Sequence, residues 1–317
     1  MVILNRVQMN YFKVVLFSVI GMYHCYAQTH AIGKFSYDKL VKRNAEVIQQ
    51  QKIDSLVTFE KVVLDGFDSK IPFYHYENRS RQEQGYVLLL HGLGDSKEDW
   101  INPSEPYLDW SRNIKAMKDS LISLGYSLII PDVKYHGERS YELGFRSPAT
   151  LPPVISRNEK DTQLFETMVT STVKDLRIIM DYISDKNGSN HISFAAIGYS
   201  LGGNLAILLS MFDTRLTRVV GCVAPINLPA RGLEAFSFSN KTIEGQMAIT
   251  PMKHAGLQQA PILLLMGTKD FYTTDEEISR FLSLVPSEHK NVKYFDSGHI
   301  LPDEYRVDAI SWITTFE

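Results

Sequence analysis

Cysteine is scarce in this 317-residue chain, which holds only Cys25 and Cys222. A framework of several disulfides is therefore excluded, and stability has to come from a packed core. The chain also lacks an excess of either charge, with 33 Lys and Arg against 36 Asp and Glu. No basic stripe interleaved with aromatics stands out, so nucleic acid is not an expected partner. Internal repeats and low-complexity tracts are absent, which removes solenoids and tail-like linkers. Long apolar runs are missing too. The longest candidate near the start, "VVLFSVIGMY" (14–23), falls short of the roughly 18 residues that a membrane-spanning helix needs.

What is present at that end is a basic opening, Arg6 and Lys13, then this apolar run, then "HCYAQ" with the small Ala27 before Gln28. The pattern is that of a secretory signal peptide covering 1–27. It predicts a secreted or periplasmic protein with no stable membrane insertion after cleavage. Lipid attachment at Cys25 is the lesser alternative, because bulky His24 precedes it. Cys222 lies in the apolar run "RVVGCVAPI" and is expected as a small core residue rather than a reactive thiol.

Residues 28–54 are polar and read as a helical lead-in. From 55 to 317 the pattern is that of one domain. "SLVTFEKVVLDG" and "KIPFYHYE" flank a turn-rich joint and read as an antiparallel strand pair. Six short apolar runs follow: "GYVLLLHG", "YSLIIPD", "HISFAAIG", "RVVGCVAPI", "APILLLMG" and "NVKYFDSG". Such runs suit strands buried on both faces. Helical spacing falls between most of them, at 110–124, 161–184, 201–212, 274–284 and 304–315. This alternation predicts an α/β fold: a doubly wound, mostly parallel sheet with helices on both faces. Two segments break it, 139–160 and 227–258. Both leave the carboxyl ends of predicted strands and are expected as short lid-like insertions or pocket walls.

Against this background "FAAIGYSLGGNLAILL" places Ser200 between a strand and a helix, with glycines on both sides. A serine on such a turn can be a nucleophile, or simply a polar residue that fits. A nucleophilic hydroxyl needs a base and an orienting acid. Of the nine histidines, three follow Ser200. His299 in "KYFDSGHILP" lies just past a strand, His289 precedes that strand at the sheet's other end, and His254 lies in the second excursion. Asp270 in "PILLLMGTKD" also follows a strand. Asp275, Glu276 and Glu277 open the next helix and suit its dipole instead, and Asp296 is close to His299 in sequence. Ser200, Asp270 and His299 are thus the candidate triad. An oxyanion hole would use the backbone N–H groups of Leu201 and of Leu93 in "VLLLHGLGDS", with His91 shaping that loop.

Taken in order, "HGLG", "PDVKYHGERS", "GYSLGG", "GTKD" and "SGH" resemble the α/β-hydrolase superfamily over about residues 55–317, in its dienelactone-hydrolase-like or prolyl-oligopeptidase-like branch. The resemblance implies the same triad and the same two amides. It also implies that "PDVKYHGERS" lines the active site, so His136 and Glu138 are candidates either to border the substrate or to stabilise that loop; Tyr199, beside the serine, is a further candidate pocket residue. Dienelactone hydrolases proper carry cysteine where this chain has Ser200, and the lead-in is too short for the propeller of prolyl oligopeptidases. The reading that follows is an exported serine esterase acting on small-molecule or carbohydrate esters through an acyl-enzyme, with no metal or organic cofactor implied. A peptidase on the same scaffold and a non-catalytic binding protein are the alternatives.

Overall fold

The computed structural model describes residues 33–80, 84–101, 110–188, 192–234 and 237–315. The expected signal peptide therefore lies outside the described residues. Nine strands form one sheet: β1 (Ala45–Lys52), β2 (Val57–Asp65), β3 (Lys70–Asn78), β4 (Tyr86–Leu90), β5 (Ser127–Pro131), β6 (Phe194–Tyr199), β7 (Leu216–Cys222), β8 (Ile262–Gly267) and β9 (Lys290–Phe295). Their order is β1-β2-β3-β5-β4-β6-β7-β8-β9. The first four neighbours pair antiparallel, and everything from β5 to β9 is parallel.

The five-residue run "YVLLL" of β4 is buried throughout, as are β5, β6 and β8. A strand with apolar side chains on both faces needs cover on both. Val87, Leu89, Leu128, Ile130, Ile197 and Leu265 point to one face. There they share a core with Ile114, Met117 and Leu121 of α1 (Trp110–Ser123) and with Tyr305, Ala309 and Ile313 of α7 (Tyr305–Thr314). The strand residues between them, such as Leu88 and Ala196, are buried too. Against that second face lie α2 (Glu159–Lys186) and α3 (Leu201–Phe212). The remaining helices are α4 (Leu228–Glu234), α5 (Asn240–Ala248) and α6 (Asp275–Leu284).

The opening segment corrects one expectation. Residues 45–52, expected within a helical lead-in, form β1, paired antiparallel with β2 from Ala45 opposite Leu64 to Lys52 opposite Thr58. All eight of its residues are exposed. Its sequence, "AEVIQQQK", lacks an apolar stripe at either period, so the pairing partner rather than local pattern sets its conformation.

The two excursions leave β5 and β7 at their carboxyl ends. The first holds short 3₁₀ turns at Gly137–Leu143 and Pro148–Thr150; the second holds α4, α5 and a 3₁₀ segment at Pro251–Leu257. They meet each other. A Cβ on Gly232 would lie 2.7 Å from the Val154 nitrogen. The second also rests on the start of α2: the Gln246 side chain donates to the Thr162 carbonyl at 2.8 Å, and that of Gln163 to Thr242 Oγ1 at 3.1 Å. No helix among the described residues is long and apolar enough to cross a membrane.

Candidate active site

Ser200 stands between β6 and α3 with φ 53° and ψ −116°. Such a backbone is costly for any residue with a Cβ, by about 1–3 kcal/mol. The surrounding packing imposes it. The Ser200 N–H donates to the Cys222 carbonyl at 2.8 Å, and the Ser200 carbonyl accepts from Asn204 N at 3.1 Å. Two glycines make the sharp turn sterically feasible. A Cβ on Gly198 would sit 2.0 Å from the Gly202 carbonyl oxygen, and one on Gly202 would sit 2.2 Å from that of Leu90. Helix and strand can approach this closely only with hydrogen in both places.

Neighbouring strands deliver the partners. Asp270 follows β8 and His299 follows β9, in loops tied together by Lys269 N donating to the Ser297 carbonyl at 2.9 Å. His299 Nε2 is 2.8 Å from Ser200 Oγ. Its Nδ1 is 3.1 and 3.2 Å from the two Asp270 carboxylate oxygens. Asp270 is fully buried at its side chain, and Tyr272 N donates to its Oδ1 at 2.8 Å. With Nδ1 donating to Asp270, Nε2 is left as the acceptor facing the serine hydroxyl. Such a chain can take a proton from Ser200 as the oxygen attacks and return it to a leaving group. The other candidates sit elsewhere. His289 precedes β9, and its carbonyl accepts from Ile262 N. His254 is buried, its Nε2 bonded to the Ala248 carbonyl. Asp296 is exposed and pairs with Lys269 at 2.7 Å.

The two proposed oxyanion donors flank the serine. Leu201 opens α3, so its N–H is among those that the helix leaves unbonded. Leu93 follows Gly92, and a Cβ on Gly92 would lie 3.7 Å from the Ser200 Cβ. The loop carrying Leu93 is fixed from the β5 side. Lys97 N and Nζ donate to the Asp132 carboxylate at 2.9 and 2.7 Å, with both side chains wholly buried. His91 Nε2 accepts from Val133 N at 3.1 Å while its Nδ1 donates to the Gly92 carbonyl. His91 thus shapes the loop, as expected.

Three residues expected to line the pocket have structural tasks. Glu138 pairs with Lys97 and, at 2.9 Å, with Lys61 of β2, and its N–H donates to Asp132. The buried Tyr199 hydroxyl donates to the His299 carbonyl and accepts from Leu301 N, both at 2.9 Å. His136 is buried against His91, with ring centroids 5.1 Å apart, and its Nδ1 donates to the Lys134 carbonyl. Burial, with the neighbouring His91, pushes His136 down to about 3, so it stays neutral. Cys222 is buried, and burial pushes its thiol up. It is a core residue.

Sequence reasoning missed Tyr272, whose ring packs edge-on against His299 at 4.6 Å. It also missed the Asp132–Lys97 pair. A charged residue directly after a buried strand was the available signal for Asp132. Among the described residues no group of His, Cys, Asp or Glu side chains is arranged to hold a metal ion.

A model of the dienelactone hydrolase family matches residues 108–299, more than half of the chain and inclusive of Ser200, Asp270 and His299. The chain belongs to the dienelactone hydrolase family. A lactone is a cyclic ester, so this membership makes the protein a hydrolase of ester bonds, here with serine in the nucleophile position. Solved structures with the same fold include acetyl xylan esterase 1 from Thermoanaerobacterium sp. JW/SL YS485, at 14% identity and TM-score 0.66, covering 91% of this chain and 92% of that one. An acetyl xylan esterase from Paenibacillus sp. R4 matches at 14% identity and TM-score 0.62, covering 93% and 94%. A cold-adapted esterase from an Arctic intertidal metagenomic library matches at 13% identity and TM-score 0.60, covering 86% and 98%. A search of curated proteins finds no match.

Proposed function

We propose that this family member is an exported carboxylic ester hydrolase working through an acyl-enzyme. Ser200 attacks the ester carbonyl while His299 takes its proton and then protonates the departing alkoxide. Asp270 holds the imidazole in the required tautomer, and water repeats the cycle on the acyl-enzyme. The N–H groups of Leu93 and Leu201 stabilise the oxyanion, a contribution of about 3–4 kcal/mol per donor in comparable sites. The observation that carries this reading is the position of His299, 2.8 Å from Ser200 Oγ on one side and 3.1 Å from Asp270 on the other. Short acyl esters of small alcohols and of carbohydrates are the proposed substrates, in keeping with the acetyl xylan esterases of like fold. Export follows from the leader read at 1–27.

The test is labelling by a fluorophosphonate together with 4-nitrophenyl acetate turnover. Wild type is expected to label at Ser200 and turn over. Ser200→Ala is expected to do neither while keeping its circular dichroism spectrum. Absence of labelling in folded wild type would refute the reading. Faster cleavage of aminoacyl amides than of acetyl esters would replace it by a peptidase.

A further inference from the structure

Asp95 is a carboxylate that the triad does not use, and it lies beside the nucleophile. A Cβ on Gly92 would fall 2.6 Å from Asp95 Oδ2 and 3.7 Å from the Ser200 Cβ, so carboxylate and serine flank the same glycine. Asp95 is partly shielded, yet no side chain or backbone N–H among the described residues donates to its carboxylate. Its own turn supplies none. The Ser96 N–H, the nearest candidate, donates instead to Asp99 Oδ2 at 2.8 Å in the capping box of the 3₁₀ turn Lys97–Trp100. The cations of this region are also engaged elsewhere, Lys97 with Asp132 and Glu138.

A recessed carboxylate with no donor costs free energy unless something supplies one. It stands beside Ser200 and the Leu93 turn and keeps partial exposure, so a hydroxyl of a bound ester can take the place of water at its carboxylate. Resting on the esterase reading above, we propose that Asp95 selects substrates: it accepts a hydrogen bond from a hydroxyl group carried by the ester close to the scissile bond. The substrate class is thereby narrowed to hydroxylated esters, those of polyols, sugars or hydroxy acids, in preference to plain alkyl esters.

A hydroxyl fits the site better than a fixed cation. Burial, with Asp99 nearby, pushes the Asp95 carboxyl up to about 7, so both protonation states are populated near neutrality. A hydroxyl can donate to the ionised form and exchange donor for acceptor with the neutral one. A site built to hydrogen-bond a hydroxyl also discriminates strongly against the analogue lacking it, because the carboxylate is then left desolvated and unpaired.

The experiment compares kcat/KM for two matched pairs in the full-length protein: 2-hydroxyethyl acetate against propyl acetate, and ethyl glycolate against ethyl propionate. Each pair differs in a hydroxyl for a methyl, on the alcohol or on the acyl side. Wild type is expected to prefer the hydroxylated member of at least one pair by about 10-fold or more. Asp95→Ala is expected to abolish that preference, and Asp95→Asn, which keeps an acceptor oxygen, to retain part of it. A ratio unchanged in Asp95→Ala for both pairs, or no preference in wild type, overturns the proposal and leaves the esterase reading intact. Failure of wild type to cleave any of the four esters overturns both.

Discussion

The hydroxyl of Tyr199 donates to the main-chain carbonyl of His299, one hundred residues further along the chain, at 2.9 Å. Tyr199 directly precedes Ser200, the proposed nucleophile, and the same hydroxyl accepts from Leu301 N. The residue before the serine therefore grips the loop that carries His299, at His299 itself and two residues beyond it. Tyr199→Phe removes the grip and leaves one buried N–H and one carbonyl without a partner, at a cost of about 1–3 kcal/mol. The expected outcome is a fall in kcat of about 10-fold with KM little changed, since a 1 Å displacement of the imidazole acts on the chemical step. Steady-state kinetics with 4-nitrophenyl acetate checks it, beside a urea titration for the stability loss.

The buried Asp132–Lys97 pair supports the loop that presents Leu93. Asp132→Ala leaves the buried Lys97 ammonium with only the more exposed Glu138 as partner and two N–H groups without an acceptor, and is expected to cost about 3–5 kcal/mol. The double variant Asp132→Ala with Lys97→Met removes the buried ammonium as well, leaving only the Lys97 and Glu138 N–H groups without their acceptor, and is expected to lie closer to wild type. Midpoints of chemical unfolding for the three proteins decide this. A double variant less stable than the single one would count against the stranded-charge account.

Burial raises the Asp95 carboxyl from 3.8 to about 7 in the folded protein. The sign follows from linkage. A group whose pKa is raised by folding leaves stability intact below the unfolded value and lowers it as pH climbs towards the folded one. Asp95→Asn abolishes this loss. Its Tm is expected to match wild type near pH 4, to exceed it increasingly from pH 4 to 7, and to hold a constant advantage of a few degrees above that. Thermal melts at pH 4, 6 and 8 measure the trend.

Gly202 allows α3 to lie against the end of β4. A methyl group there would meet the Leu90 carbonyl oxygen at 2.2 Å and that of His91 at 2.7 Å. Gly202→Ala is expected to destabilise by 3 kcal/mol or more, roughly the scale of a severe steric defect in a packed core. Gly256, with nothing within 4 Å of an added Cβ, serves as the control. Gly256→Ala is expected to stay within about 0.5 kcal/mol of wild type.

Most of the sheet could be read from the chain because its strands are short apolar runs between turn residues, and buried parallel strands have that composition. β1 could not. "AEVIQQQK" carries no periodic signal, and its extended conformation depends on β2, which is a relation between segments. The convergence of Ser200, Asp270 and His299 was legible because each follows a strand at the same sheet edge, so topology alone brings them near one another. The tasks of Glu138 and Tyr199 were not, because each depends on a distant partner: Lys61 for one, His299 for the other. Asp95 was invisible for a subtler reason. Two aspartates, Asp95 and Asp99, compete for the donors of one turn, and only coordinates tell which of them takes the Ser96 N–H.

The positive φ at Ser200 bears on the fate of the protein under mutation. Glycine is at ease at φ 53°, so Ser200→Gly is expected to give a molecule more durable than its parent and, on the proposed mechanism, chemically inert. Drift towards folding robustness and drift towards turnover thus pull opposite ways at one codon, and a hydroxyl persists there only while hydrolysis itself is rewarded.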